Sequence, residues 1–362
     1  MKINLIFFIS EFNLGGAGNS IFKLCKNLPK NKFKVSVICL NKCYYKNLLN
    51  KNGIKVFEIK SSKTILAMNK IKNLTQNLIH KKFKNIFISN IYYSNVLSIL
   101  FLRNLSMKII LIERTPHQEL SIYYGFLDFI KKNLLKFLIR ITFYRADLCL
   151  SNSKFISREY NKAYKLNFKT IFPPSFSGRI FHNKNMGKDK IYFGTVCRLG
   201  KEKNLSKLFI MLSKFKKKIF FEIIGDGPER ENLIKLRDKL GLKKVIKFSG
   251  SVHPTKVYKY FKKFHYYINS SDFEGFPNSV VEALSHGVPV IASQSFGGIN
   301  EILPNKNFGY IYKNDEEFES IISKIVSNNI KKKIVRSKLR NHLIKFDEKK
   351  NYQKYRNIFV SI

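Results

Sequence analysis

The chain has 362 residues, of which 67 are Lys or Arg and 24 Asp or Glu, giving a formal net charge of +43; 44% are hydrophobic and 14% aromatic. That apolar share excludes a disordered polypeptide, and the length suits two domains or one large one. The charge is spread out, with 31 basic and 7 acidic side chains in residues 1–180 and 36 and 17 in the rest, whereas a dedicated nucleic-acid arm concentrates it. Lys, Asn, Ile and Phe are plentiful and Trp is absent, a bias shared by A/T-rich codons, so much of the excess reads as compositional background. Five cysteines (Cys25, Cys39, Cys43, Cys149, Cys197) form no C-x-x-C pair and read as free thiols of a reducing compartment, with no disulfide scaffold or zinc site.

The first apolar run, Ile3–Ile9, is ended by Ser10-Glu11 with no small-residue cleavage site, so a buried strand is expected there and not a signal peptide. Glu11-Phe12-Asn13-Leu14-Gly15-Gly16-Ala17-Gly18 then opens a helix. Gly15 and Gly16 either let a phosphate approach the free N–H groups of that helix or simply form a tight turn. The loop is not G-x-G-x-x-G. Apolar runs at Lys34–Leu40, Val56–Ile59, Ile86–Ser89, Ile109–Ile112 and Asp147–Leu150 read as strands buried on both faces, separated by helices such as Asn19–Asn27 and Thr64–Lys81. Such βαβ order implies a parallel sheet. Polar residues interrupt the most apolar later stretch, Ile86–Leu102, so no segment is expected to span a membrane. Glu113-Arg114-Thr115-Pro116-His117 follows one strand. Tyr123–Tyr144 mixes Phe, Leu, Ile and Tyr at helical spacing with Lys131, Lys132, Lys136 and Arg140. It is either a core helix or a basic amphipathic helix lying on anionic lipid.

Two prolines, a glycine and small polar residues from Ile171 to Gly178, then polar residues to Lys190, read as a connection between a first domain of residues 1–172 and a second of 185–345. The alternation then restarts, with strands at Ile191–Val196, Phe220–Ile224, Val245–Ser249, Tyr266–Asn269, Val288–Ala292 and Gly309–Tyr312. Helices at Asn204–Lys214, Pro228–Leu240, Thr255–Phe261, Ser279–Ser285 and Glu316–Asn328 separate them. A last helix, Phe346–Phe359 within residues 346–362, is expected to return to the first domain.

Arg198 and Lys203 leave the end of a strand and enter a helix, where they read either as a diphosphate clamp or as surface charge. Gly225-Asp226-Gly227-Pro228 forms a strand–turn–helix in which Gly225 and Gly227 permit close approach of a ring or sugar, or merely a turn. The most informative run is Ser270-Ser271-Asp272-Phe273-Glu274-Gly275-Phe276-Pro277-Asn278-Ser279-Val280-Val281-Glu282. A loop carboxylate at Glu274 suits sugar hydroxyls, and a helix carboxylate at Glu282 suits a ribose. Ser279 is expected to cap the helix, with the amides of Asn278, Ser279 and Val280 aimed at an anion.

Arg198 with Lys203, the Glu274…Glu282 pair and EGFPNSVVEALSHGVPVIAS resemble the retaining glycosyltransferases of family 4, tightly over residues 191–303 and loosely before them. The resemblance implies the GT-B fold: α/β, with two Rossmann-like parallel-sheet domains facing across a cleft. It implies that Arg198 and Lys203 hold the diphosphate of a nucleotide-sugar and that Glu274 contacts the donor sugar near the reacting carbon. Glu282 would bind the ribose, with Gly15, Gly16, Gly225, Gly227, Phe276, Pro277, Asn278, Ser279 and Val280 around the donor. The Glu113–His117 segment is similar to the one carrying the family's sugar-facing His or its Glu-Arg variant, which points to His117 or Arg114.

Retaining transfer from a UDP-sugar to a glycan or lipid-linked acceptor is therefore expected, with no cofactor or metal. A cytoplasmic enzyme is expected, peripheral on the inner face of the cell membrane through Tyr123–Tyr144. A nucleotide-sugar epimerase would need acid/base carboxylates and histidines that are not apparent, and a nucleic-acid binder would need clustered charge with stacking aromatics.

Overall fold

Continuous apolar runs form strands that need cover on both faces, and the chain satisfies this need twice. The computed structural model describes residues 2–123, 125–181, 190–304, 307–327 and 334–362. The expected domain start at 185, the helix end at Asn328 and Tyr124 lie outside the described residues. Contacts divide the chain into a first unit, Met1–Pro174 with Glu348–Ile362, and a second, Ser175–Asp347.

The first unit holds seven parallel strands: β1 (Ile3–Ile9), β2 (Phe33–Leu40), β3 (Lys55–Ile59), β4 (Lys84–Asn90), β5 (Lys108–Glu113), β6 (Leu148–Ser151) and β7 (Phe168–Thr170). Their order is β3-β2-β1-β4-β5-β6-β7. Every residue of β1 is buried, as a central strand covered on both faces requires. One face packs Phe7, Ile88 and Ile110 against the helix Gly16–Lys26 and the last helix. The other packs Phe8, Phe87 and Ile109 against Thr64–Leu78 and Tyr92–Leu102.

The second unit holds β8 (Ile191–Val196), β9 (Ile219–Ile224), β10 (Ile246–Phe248), β11 (Tyr266–Asn269), β12 (Phe273–Glu274), β13 (Val290–Ser293), β14 (Phe296–Gly297) and β15 (Gly309–Tyr312). Six of them form a parallel sheet in the order β10-β9-β8-β11-β13-β15, and β12 pairs with β14. In each large sheet the order reverses beside the unit's first strand, at β1/β4 and at β8/β11. The loops leaving those strands at their carboxyl ends therefore diverge and leave a crevice, the place where such sheets take ligands.

The final helix runs from Glu348 to Ser361, two residues later than expected at its start. Phe346 belongs instead to the second unit, where its ring meets Phe276 edge-on at 5.0 Å. From the helix, Tyr352, Tyr355 and Phe359 enter the core of the first unit, and Glu348 pairs with Lys23 at 2.8 Å. Phe359 is fully buried and meets Phe7 and Phe33 edge-on, each at 6.3 Å.

Phe359→Ala should lower the stability of the first unit by about 3–5 kcal/mol, the usual cost of removing a buried ring. Urea unfolding followed by circular dichroism checks this; an unchanged midpoint would show that the helix contributes little to that core.

Candidate active site

In the second unit the site is built where the sheet order reverses. After β8 the backbone continues through Cys197–Leu199 against the turn that follows β9, with Leu199 N–H donating to Asp226 C=O at 3.0 Å and Glu229 N–H to Leu199 C=O at 3.0 Å. A Cβ on Gly225, whose φ is +137°, would stand 1.8 Å from the carbonyl oxygen of Cys197, and one on Gly227 would stand 2.5 Å from that of Leu199. The space beside both glycines is thus taken by the chain's own loop.

That loop presents Arg198 and Lys203 differently. The Arg198 side chain is 55% exposed and pairs with Glu202, four residues on, at 3.0 Å. Lys203 reaches across to Glu274, with Nζ 2.5 Å from Oε1 and the two side chains 14% and 17% exposed. Burial pulls the Lys203 pKa down, but the neighbouring acidic groups, Glu274 foremost and then Cys197 and Glu202, together outweigh it and the net shift is upward. Ser271 Oγ donates to the same Glu274 oxygen at 3.0 Å.

The Glu274 loop is held from several sides. Ser270 Oγ donates to Lys203 C=O at 2.7 Å, Asn204 Nδ2 to Asp272 Oδ1 at 2.7 Å, and Ser293 Oγ to Ser271 C=O at 2.5 Å. Gly298 N–H donates to the carbonyls of Glu274 and Gly275 at 3.2 and 3.1 Å. A Cβ on Gly297 would lie 1.5 Å from the Glu274 carbonyl oxygen, at a φ of +130°. A cavity of about 230 Å³ lined in part by Asn204, Ser271, Asp272, Phe296 and Tyr312 adjoins the loop.

The helix Asn278–Ser285 begins without a side-chain cap, correcting the expectation for Ser279. The Ser279 Oγ lies 2.8 Å from the hydroxyl of Tyr267, which also accepts from Val196 N–H at 3.3 Å. Tyr267 thereby ties the end of β8 to the start of this helix, a role its sequence position does not advertise. The Val280 amide does not face outward as expected, because it donates to Pro277 C=O at 3.0 Å. Pro277 is buried at the turn before the helix, and the Phe276 ring packs inward on Phe346. Glu282 is half-buried in the second turn, and its carbonyl receives His286 at 2.8 Å.

In the first unit, Gly15 precedes the helix Gly16–Lys26 and donates its N–H to Asn13 Oδ1 at 3.0 Å. Gly18 is the position that packing restricts to glycine, since a Cβ there would stand 2.1 Å from the Asn13 carbonyl oxygen. Arg114 Nε donates to Asn90 Oδ1 at 3.0 Å. His117 Nε2 lies 2.9 Å from the Tyr164 hydroxyl, and burial lowers its pKa. His117 is thus engaged by a tyrosine of its own unit.

Glu113, at the end of β5, is a residue whose sequence signal is only that of a carboxylate closing the run KIILIE. Its side chain is fully buried, its Oε1 accepts from Asn95 Nδ2 at 2.5 Å, and burial pushes its pKa up to about 8. Among the described residues no group of three or more His, Cys, Asp or Glu is placed to hold a metal ion.

Residues 177–350 match the model of the glycosyl transferases group 1 family. That stretch, just under half of the chain, is similar to this family. The N-acetylgalactosamine-N,N'-diacetylbacillosaminyl-diphospho-undecaprenol 4-alpha-N-acetylgalactosaminyltransferase of Campylobacter jejuni is 28% identical over 195 residues, 50% of this chain and 51% of that protein. The alpha-monoglucosyldiacylglycerol synthase of Streptococcus pneumoniae is 22% identical over 245 residues, 63% of this chain and 55% of that protein. The chain thus spans about half the length of these curated relatives. Anabaena HepE, solved with UDP and glucose, superposes with a TM-score of 0.80 at 17% identity, covering 99% of this chain and 100% of that one. The fold of this chain is accordingly GT-B, as its two parallel sheets imply.

Gly297→Ala should displace the Glu274 loop and cost about 1–3 kcal/mol, the range for a forced backbone conformation; a thermal melt equal to wild type would count against this. Glu113 supplies a pH signature in the first unit. Its folded pKa lies above its unfolded one, so its contribution is fully present below about pH 4.5 and is lost as pH rises to about 8. Unfolding curves across that range should slope downward in wild type and flatten in Glu113→Gln.

Proposed function

We propose that this chain is a retaining glycosyltransferase that moves a sugar from a nucleotide-sugar, favouring UDP, to a glycan or lipid-linked acceptor in surface polysaccharide or oligosaccharide biosynthesis. The observation that carries this is the Lys203–Glu274 pair at the β8/β11 reversal, within the family-matched stretch. It sets a cation and a carboxylate side by side, suited to a sugar diphosphate. Anabaena HepE, of the same fold, binds UDP and glucose, and the two relatives above are named for lipid-linked or lipid products, which supports the donor and acceptor classes.

In this mechanism the bond from the anomeric carbon to the diphosphate oxygen breaks while the acceptor oxygen bonds to the same face of that carbon. The acceptor's proton passes to the departing phosphate. Lys203 and the exposed cation Arg198 neutralise the charge growing on the leaving group, the task that elsewhere falls to a divalent metal. Glu274 fixes the sugar through its hydroxyls, and Glu282 the ribose. The five thiols, four buried and one partly so, and none in a disulfide, suit the cytoplasm.

A thermal-shift panel of UDP-, GDP- and ADP-sugars should show stabilisation by one base above the others. With that donor, Glu274→Ala and Arg198→Ala should each lower turnover by about 10²–10³-fold, and a chelator should leave it unchanged. Near wild-type transfer by Glu274→Ala, or loss of activity on chelation, would refute the corresponding assignment.

A further inference from the structure

The helix Phe126–Thr142 turns most of its apolar residues outward. Only Leu135, Ile139 and Thr142 are buried on it. Phe126, Leu127, Ile130, Leu134, Phe137 and Ile141 are 76%, 81%, 48%, 55%, 57% and 40% exposed. At about 100° per residue these six fall within an arc of roughly 100°, one continuous stripe along the helix.

We infer that this stripe is a docking surface for an anionic lipid bilayer, with the helix lying in the plane of the headgroups. The placement of charge supplies the argument. Lys131 and Arg140 are both exposed, and each stands about 40° beyond one edge of the stripe, so a cation borders it on either side. This is the arrangement an in-plane helix needs, with apolar residues down at the acyl boundary and cations level with phosphates. The single acid of the helix, Asp128, points away from the stripe and pairs with Lys132 at 2.9 Å. Just before the helix Tyr123 is 38% exposed, and its hydroxyl accepts from Lys136 at 3.0 Å, adding an amphipathic aromatic with a cation on its polar end.

Two other occupants fit less well. A second copy of the chain, docked stripe to stripe, would bring Lys131 and Arg140 against their like-charged counterparts. Insertion across the bilayer is excluded for this helix, since no described helix is long and apolar enough to cross a membrane.

Vesicle co-sedimentation of the full chain tests the inference, using phosphatidylcholine alone and phosphatidylcholine with phosphatidylglycerol, each at low and raised salt. Wild type should sediment with the anionic vesicles, several-fold less at raised salt and weakly with the neutral ones. Leu127→Asn combined with Leu134→Asn should cut partitioning about tenfold or more, since both side chains already face water and the fold does not depend on them. Lys131→Gln with Arg140→Gln should remove most of the salt dependence.

The chain has no Trp, so Leu134→Trp gives a lone reporter. Its emission should shift to the blue on anionic vesicles and be quenched by brominated lipid. Wild type left in the supernatant at low salt, a Leu127→Asn/Leu134→Asn chain that sediments like wild type, or an unshifted Trp would each overturn the inference. A wild-type dimer that the same double variant dissociates, with no vesicle binding, would assign the stripe to a second copy. The donor panel, run on the same preparations, separates failure of docking from failure of the glycosyltransferase assignment.

Discussion

The second unit depends on placing one ammonium beside one carboxylate with little water between them. Burying Lys203 alone would force its charge out of solvent uncompensated, and Glu274 offsets that only if the two loops that carry them meet at hydrogen-bonding distance. The parallel sheet makes the meeting possible. Strands β8 and β11 are neighbours running the same way, so residues 71 apart in sequence leave the sheet at the same edge. Much of the local sequence then follows from the closeness of those loops. Gly225 and Gly227 admit the Arg198 loop, Gly297 admits the backbone of Glu274, and Tyr267 bridges the end of β8 to the next helix.

The same constraint separates two cations that look alike in sequence. Lys203 is committed to Glu274 and held by burial, whereas Arg198 projects into solvent with Glu202 beside it. A pinned lysine is a fixed charge for whatever approaches, with no side-chain reorganisation when negative charge develops. An exposed arginine keeps its planar fork available and can close on a ligand. In the proposed reaction the two cations divide the neutralisation of a diphosphate between them, one fixed in place and one free to close.

Long features were legible because their signals are redundant. An apolar run such as Ile3–Ile9 can be satisfied only between two covered faces, and repeated βαβ order leaves a parallel sheet as the outcome. Short features were not. β7, with three residues, and the two-residue ladder of β12 with β14 have no periodicity to read, since they exist through their partners. The glycines were visible as sites of close approach, but what approaches them is the chain's own backbone, which depends on the strand order. Ser279 had the composition of a cap and lost that role to a long-range hydroxyl, and Val280's amide closed on Pro277 because the first turn is tight. The burial of Glu113 is not legible because an acid at a strand end ordinarily faces water, and only the packing of Asn95 and its neighbours shows that it does not.

The helix Phe126–Thr142 shows a different limit of sequence. A wide apolar face says how much surface avoids water but not which part of it the fold covers. Leu135, Ile139 and Thr142 seat the helix on the first unit with Leu138 packed beside them, and the stripe from Phe126 to Ile141 lies outside that arc. Sequence composition had made lysine a background throughout the chain, so no count of charges could separate positioned cations from solvated ones. Position can. Lys131 and Arg140 matter because they border an exposed apolar stripe, as Lys203 matters because it borders a carboxylate, and in both cases the partner gives the charge its meaning.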